Sequence, residues 1–385
     1  MAAHRTRAPS AGLGVGLVGT GFMGKCHALA FNAVAATFER LPRPRLAVLC
    51  DVDAARAAEA AAVFGFDRAT ADWRAVVDDP AVDLVAIATP NATHAEIAVA
   101  ALAAGKHVYC EKPMALGLAD AVRMAEAADA APGLRTRLGY NYTANPALEH
   151  ARRLVADGTL GRIVHVRALY DEDYMADAAL PWSWRCRKAD AGLGALGDIG
   201  CHAVSILHRL AGPIVRVVAD IDTAHRERPL PDRPGEVGAV ENEDVAAALL
   251  RFSSGASGVL ATSRAAHGYK NGIRIEVQGT LGTLRFDQER MNELTLFLAV
   301  GEPALRGFRT VLTGPLHPPY GAFCPAPGHG LGFNDLKVIE VAGFLAAIAD
   351  DDPYPLDFAE GLAIERVIHG IARSAEEGRW LDVAE

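Results

Sequence analysis

The chain has 385 residues, 51% of them hydrophobic and 22% charged, too long for one ordinary core and enough to fill two. A formal charge of −9 without any basic block argues against a nucleic-acid partner, and no apolar run reaches the roughly 18 residues a membrane span requires. The six cysteines (26, 50, 110, 186, 201, 324) form no Cys-x-x-Cys pair, so neither a disulfide frame nor a metal site is indicated, and the thiols read as reduced ones in a cytoplasmic protein.

Residues 1–10 carry Arg5 and Arg7 ahead of an apolar stretch, a pattern that mimics a signal peptide. The stretch runs straight into Gly19-Thr-Gly-Phe-Met-Gly24, which explains it better than a cleavage site, and the first ten residues read as a flexible tail. Strands over 14–18, 45–50, 83–89, 108–110 and 134–139 then alternate with helices over 23–38, 54–64, 93–104 and 118–130. Short apolar strands separated by helices predict a doubly wound parallel α/β sheet, a Rossmann-type dinucleotide-binding domain over residues 11–140.

After Asn141 the pattern changes. A helix over 146–157 leads into an alternating strand over 163–170, a helix follows Gly197, and runs at 214–222, 244–252, 256–264, 272–278 and 292–300 are joined by glycine turns. This predicts a mainly antiparallel sheet in a second, α+β unit over 141–385. Residues 301–331 are rich in Gly and Pro and read as one long functional or interfacial loop, with no role assigned to His317 or His329. Helices over 333–349 and 358–375 close the chain and are expected to pack back on the first domain.

Gly19-Thr20-Gly21-Phe22-Met23-Gly24 fits G-x-G-x-x-G between a strand and a helix. The first glycine allows the tight turn, the second lets backbone approach a pyrophosphate, and the third lets helix and strand pack closely, with helix-start amides facing the anion. Asp51 ends the second strand, where an acid accepts hydrogen bonds from a ribose and repels a 2′-phosphate. NAD is therefore expected over NADP, although Arg56 leaves room for both; Asp53 is the better cap for the next helix. Thr89, Pro90 and Asn91 end the third long strand, with His94 one helical turn on; read alone, Asn91 is a helix cap and His94 a packed histidine. Glu111-Lys112-Pro113 falls at the carboxyl edge of the sheet, where such folds bind ligands.

In a helix over 198–210, Asp198, His202, Ser205 and Arg209 share a stripe and Ile199, Ala203, Ile206, Leu207 and Leu210 make an apolar one. An acid and an imidazole then project together, either as a site or as a solvated face capped by Asp198. The neighbouring glycines favour a site, since they admit a ligand close to the backbone.

Ala88-Thr-Pro-Asn-Ala-Thr-His94, Gly105-Lys-His-Val-Tyr-Cys-Glu-Lys-Pro113, Gly194-Ala-Leu-Gly-Asp-Ile-Gly-Cys-His202 and Asp357-Phe-Ala-Glu-Gly361 together resemble signatures of the Gfo/Idh/MocA oxidoreductases, over about residues 12–383. The resemblance implies a Rossmann domain followed by an α+β domain whose open sheet forms homo-oligomers. It also implies NAD(P)-dependent oxidation of a sugar, cyclitol or related polyol, with cofactor contacts from Thr89, Pro90, Asn91, His94, Glu111 and Lys112 and from a Trp184-Arg185 pair at the nicotinamide end. Glu172-Asp-Tyr-Met175 with Pro181-Trp-Ser-Trp-Arg185 resembles the branch acting on anhydrosugars, inositols or unphosphorylated hexose derivatives.

Oxidising a secondary alcohol removes a hydride from carbon and a proton from oxygen. A histidine of near-neutral pKa suits the proton, and a lysine stabilises the developing alkoxide, or itself takes the proton if burial lowers its pKa. The expected roles are His202 as base, Lys112 as polarising group and Asp198 orienting the imidazole or binding a neighbouring hydroxyl. Tyr170, Tyr174, Trp182 and Trp184, interleaved with acids and with Arg185, Arg187 and Lys188, suit a polyhydroxylated ring or form a core cluster. Asn141, Asp173, Tyr174 and Arg185 are the further expected substrate contacts, with Tyr142 beside them; the three basic residues alternatively hold a phosphate or carboxylate. Two other functions fit the same cofactor end: a glycosidase-type enzyme using bound NAD transiently, and a non-catalytic NAD-binding regulator, which would have lost Lys112 or His202.

Overall fold

The computed structural model describes residues 12–351 and 355–383, so the expected tail over 1–10 lies outside the described residues. Six parallel strands, β1 (Gly14–Val18), β2 (Arg45–Cys50), β3 (Arg68–Thr70), β4 (Leu84–Ile87), β5 (His107–Cys110) and β6 (Thr136–Leu138), form one sheet in the order β3-β2-β1-β4-β5-β6. Strands β1 and β4 are buried along their whole length, as a sheet covered on both faces requires. The order reverses between β1 and β4, which opens the crevice that doubly wound sheets use for ligands. The covering helices are α1 (Phe22–Thr37), α2 (Ala54–Phe64), α3 (Trp73–Val77), α4 (His94–Ala103) and α5 (Leu118–Asp129). Asp53 caps α2 by accepting from the Ala55 and Arg56 amides, which leaves Asp51 free of that duty.

The second half begins with α6 (Pro146–Ala156), β7 (Ile163–Asp171), the short α7 (Lys188–Ala191) and α8 (Cys201–Ala211). Strands β8 (Ile214–Asp222), β11 (Val245–Phe252), β12 (Ser257–Ser263), β13 (Gly272–Gly279), β14 (Gly282–Asp287), β15 (Glu293–Leu298), β16 (Arg309–Leu312) and β17 (Leu381–Asp382) join β7 in a nine-stranded sheet, antiparallel except for the β7–β12 pair. The ribbon β9 (Glu227–Pro229) with β10 (Val237–Ala239) stands apart from it. Alternation is clean on β11, which buries Ala246, Ala248, Leu250 and Phe252 and turns Val245, Ala247, Leu249 and Arg251 outward. Helices α6 and α8 cover the inner face.

The region over 301–331 is not one continuous loop, since β16 pairs with β15 inside it. Two terminal helices, α9 (Phe333–Ala349) and α10 (Phe358–Glu377), return to the parallel sheet: α9 packs on α1, and α10 on α5 as well as on β8. Leu356 O accepts from the Leu138 amide at 2.9 Å, and the Thr136 hydroxyl accepts from the Phe358 amide at 3.1 Å. Among the described residues no helix is long and apolar enough to cross a membrane, and no group of three or more His, Cys, Asp or Glu could hold a metal ion.

Helix α9 also brings charge into the interior. Lys337 Nζ lies 2.8 Å from Glu111 Oε1 and 2.6 Å from Glu340 Oε2, Arg137 pairs with Glu340 at 2.8 Å, and His27 Nε2 meets Glu111 Oε1 at 2.8 Å. The side chains of Lys337, Arg137, Glu340 and His27 are fully buried. Two acids and two bases balance there, the arrangement in which buried charge is tolerated.

Candidate active site

The glycine turn joins β1 to α1 at the point where the strand order reverses. Gly19 takes φ +104°, and a side chain there would strike Ala88 O at 2.3 Å; at Gly24 it would strike Gly19 O at 2.1 Å. A side chain built at Gly21 would meet nothing within 4 Å, so the space beside its backbone is open. The three glycines thus meet the three geometric demands read from the motif. The cleft beside them, about 630 Å³, is lined by Thr20, Phe22, Met23, Asp51, Thr89, Pro90 and Asn91 on the parallel-sheet side. Trp184, Arg185 and Asp198 reach it from the second half of the chain.

Asp51 is fixed by the Thr20 hydroxyl, the Thr20 amide (3.2 Å) and the Asp53 amide (3.2 Å), with Arg56 at 3.1 Å. Burial raises its pKa, but these donors prevail and hold it below the ordinary aspartate value. Thr89 accepts from Thr93 at 2.7 Å, and Asn91 Nδ2 donates to Ala191 O at 3.4 Å, tying the β4 end to the second half.

Lys112 leaves β5 where the Glu111 amide bonds Ile87 O and the Gly139 amide bonds Cys110 O, both at 2.9 Å. The Lys112–Pro113 peptide is cis. Its Nζ donates to Asp198 O at 2.8 Å and to Asp198 Oδ1 at 3.0 Å. Burial opposes the ammonium, yet the Asp198 carboxylate outweighs it and raises the lysine's pKa. The charged form of Lys112 is therefore the favoured one.

Asp198 does not lie in a regular helix. Leu196–Gly200 forms one π-turn ahead of α8, with the Cys201 amide reaching back to Leu196 O. The widened turn presents both the Asp198 carbonyl and its carboxylate to Lys112, while Tyr174 donates to Oδ2 at 2.6 Å. Burial works against the carboxylate, but Lys112 and Tyr174 keep it strongly acidic. This corrects the expected role: both Asp198 oxygens are engaged by Lys112 and Tyr174, so Asp198 orients the lysine and not the imidazole.

His202 lies one turn further, its ring 4.7 Å from that of Tyr142 and 5.6 Å from that of Tyr140, and its Nδ1 has no hydrogen-bond partner among the described residues. Burial, then Lys112, push its pKa well below the usual histidine value, so the imidazole is neutral near pH 7. The alternative of a solvated face does not hold for this helix: Ser205 is fully buried and donates to His202 O at 2.7 Å, and Arg209 turns to Glu149.

A second cavity of about 520 Å³ adjoins the first and shares Phe22, Met23, Lys112, Arg185 and Asp198 with it. Asn141, Tyr142, Tyr170, Tyr174 and His202 line it, and the buried Asn141 Nδ2 has no partner among the described residues. Arg185 lies over Trp184 at 4.6 Å, with Trp184 39% exposed. The alternative anion cluster does not form: Arg187 pairs with Asp190, and of the three basic residues Arg185 alone lines a cavity.

Three expected contacts lie elsewhere. His94 is buried and lines neither cavity; its ring nitrogens face Pro113 O and Thr89 O, both at 3.0 Å, and so staple the two loop ends together. Asp173 points away from the cavity, to Lys270 and the Gly268 amide. Glu111 borders both cavities, but its carboxylate turns inward to His27 and Lys337. Conversely, Trp73 and Arg264 line the first cavity and Glu172 the second, and none of these was singled out. Strand parity would have found Glu172: on β7 Val166, Ala168 and Tyr170 point inward, so 172 and 174 continue that face and 173 does not.

The model of an oxidoreductase family with an NAD-binding Rossmann fold matches residues 13–137, and that of the GFO/IDH/MocA C-terminal domain matches residues 148–285. The chain is 40% identical to levoglucosan dehydrogenase of Pseudarthrobacter phenanthrenivorans over 96% of this chain and 98% of that protein. It is 30% identical to myo-inositol 2-dehydrogenase of Thermotoga maritima, over 73% of this chain and 77% of that protein. A solved levoglucosan dehydrogenase in complex with NADH and levoglucosan superposes with a TM-score of 0.94 at 40% identity, covering 97% of this chain and all of that one. The chain is thus a member of the Gfo/Idh/MocA family of NAD-dependent oxidoreductases.

Proposed function

We propose that the protein is an NAD-dependent dehydrogenase that oxidises one secondary hydroxyl of an unphosphorylated anhydrosugar, sugar or inositol-like polyol, and reduces the ketone in reverse. The observation that carries this reading is the pairing, in one cavity beside the glycine-turn cleft, of a lysine kept charged by Asp198 with a histidine kept neutral by burial. The levoglucosan and myo-inositol dehydrogenases among the relatives support the substrate class.

The open space beside Gly21 and the acid at Asp51 fit a dinucleotide without a 2′-phosphate. The cofactor, when bound, accepts the hydride. Lys112 polarises the reacting hydroxyl and stabilises the alkoxide, and Asp198 with Tyr174 holds Lys112 in place. His202, neutral at rest, takes the proton; burial and the nearby Lys112 charge make its protonated form unfavourable, so it releases the proton to solvent water entering the cavity. Trp184 contributes to the cofactor cleft and Arg185 at the boundary of the two cavities, and Asn141 and Tyr174 bind further hydroxyls.

We also place the boundary between cofactor and substrate units at 140/141, and the protein in the cytoplasm as a homo-oligomer. The outward face of the nine-stranded sheet, with Leu249 half-exposed, supports the last point; light scattering giving a monomer would refute it. The functional test is the absorbance of reduced nicotinamide with NAD and levoglucosan or myo-inositol. Steady accumulation is expected. Cleavage of a glycoside with retained cofactor and no net reduction would replace this reading with the glycosidase one.

A further inference from the structure

The acids on and beside the substrate-cavity wall are not equivalent. Asp171 pairs with Arg274 at 2.7 Å, Asp173 with Lys270, and Asp198 with Lys112 at 3.0 Å. Glu172, between the first two, has no ion-pair partner among the described residues. The Tyr170 hydroxyl donates to its Oε1 at 2.8 Å, and no described group donates to its other oxygen. Its backbone is clamped on both sides, the amide to Ser263 O at 2.8 Å and the carbonyl to the Ala266 amide at 2.9 Å. The side chain therefore leaves a rigid base and lines the cavity that holds Lys112, Asp198 and His202.

A partly buried carboxylate without an ion-pair partner is poor structural material, since burial penalises the charge and no paired cation offsets it. One restrained oxygen and one open oxygen, facing a polar cavity, make a hydroxyl acceptor. We propose that Glu172 anchors and orients the sugar, its open oxygen accepting a hydrogen bond from a hydroxyl other than the one oxidised. This rests on the dehydrogenase reading and adds a second point of attachment to it. With Lys112 and His202 on the reacting hydroxyl and Glu172 on another, the ring has one orientation, and the spacing of the anchors selects the carbon that loses hydride. A site built to pair with a hydroxyl also discriminates against an analogue lacking it.

The anchor carboxyl is shifted toward neutrality. Burial pushes the Glu172 carboxyl up to about 7; the Tyr170 hydroxyl opposes this, Asp198 and Asp173 add to it, and Lys112 lowers it. The ionised form is the stronger acceptor, so sugar affinity rises with pH through that value.

The test is calorimetric titration of levoglucosan and of myo-inositol into the enzyme–NADH complex, which reads sugar binding without turnover. Wild type, Glu172→Gln and Glu172→Ala are compared at about pH 6 and about pH 8, with NADH affinity and melting temperature measured alongside. Glu172→Ala should weaken sugar binding on the order of ten- to a hundredfold, with NADH affinity and melting temperature unchanged. Glu172→Gln keeps a neutral acceptor, so it should weaken binding less and abolish the rise with pH. Sugar affinity within about twofold of wild type in both variants, or a rise with pH that survives in Glu172→Gln, would overturn the proposal. Should the alanine variant not fold, the pH response of the glutamine variant decides alone. Sugar binding without turnover leaves Glu172 standing and removes the dehydrogenase reading; no sugar binding by wild type removes both.

Discussion

Replacing Lys337 by Met removes one charge from the interior while nearly preserving volume. In the native protein Lys337 touches Glu111 at 2.8 Å and Glu340 at 2.6 Å, and Arg137 is the other cation within the cluster. Without Lys337 two carboxylates share one arginine, and Glu111 keeps only a neutral imidazole. Breaking a buried pair from one side costs about 3–5 kcal/mol, because the remaining charge stays desolvated. At about 2.1 cal/mol/K per residue the unfolding entropy of this chain is roughly 0.8 kcal/mol/K, so the melting temperature should fall by about 4–6 °C. Differential scanning calorimetry reads this directly. The pH dependence gives a second check. Burial raises the Glu111 pKa, but Lys337 and His27 prevail and hold it far below the ordinary glutamate value. The stability this contributes is complete above the unfolded carboxylate pKa and is lost as pH falls through the folded one. In the variant Glu111 binds a proton readily in the folded state, so the deficit relative to wild type should narrow as pH falls below about 5. A melting temperature within about 1 °C of wild type at neutral pH would refute the reasoning.

Asp51→Ser should release Arg56, now 3.1 Å from the carboxylate, and remove the charge that repels a 2′-phosphate. The ratio of kcat/KM for NADP over NAD should rise by roughly ten- to a hundredfold, and an unchanged ratio would deny Asp51 its selecting role. His27, His94 and His202 all have folded pKa values lowered first of all by burial. The folded state then binds fewer protons than the unfolded one, so stability is complete above about pH 6.5 and declines as pH falls below it. Chemical unfolding followed across that interval should show the loss beginning there; a flat profile down to the carboxylate range would count against buried neutral imidazoles.

Both sheets and most helices were legible because their signal is periodic: buried runs for parallel strands, alternation for antiparallel ones. The short β3, β9, β10, β16 and β17 were missed, since two to four residues cannot display a period, and the six-residue β14 was missed behind the glycine turn that precedes it. In the site, residue types were easier to read than their partners. The Asp198–His202 spacing put both residues at the cavity, but a single π-turn redirected Asp198 to Lys112, and helical spacing carries no trace of that insertion. His94 was found through its motif, although its position is set by two carbonyls on different loops. Lys337 could not be paired with Glu111 beforehand, because 226 residues separate them and only the return of α9 to the first sheet unites them. Glu172 was within reach through strand parity; the motif around it drew attention to Asp173 instead.

The central claim is that a fixed lysine charge, not a lysine base, activates the hydroxyl beside His202. Single-turnover kinetics of Lys112→Ala on a sugar that the wild type oxidises, with NADH affinity measured in parallel, tests it most directly. The expected result is a fall in the hydride-transfer rate on the order of a hundred- to a thousandfold with cofactor binding retained. Near-normal turnover by Lys112→Ala with the cofactor still bound would contradict it.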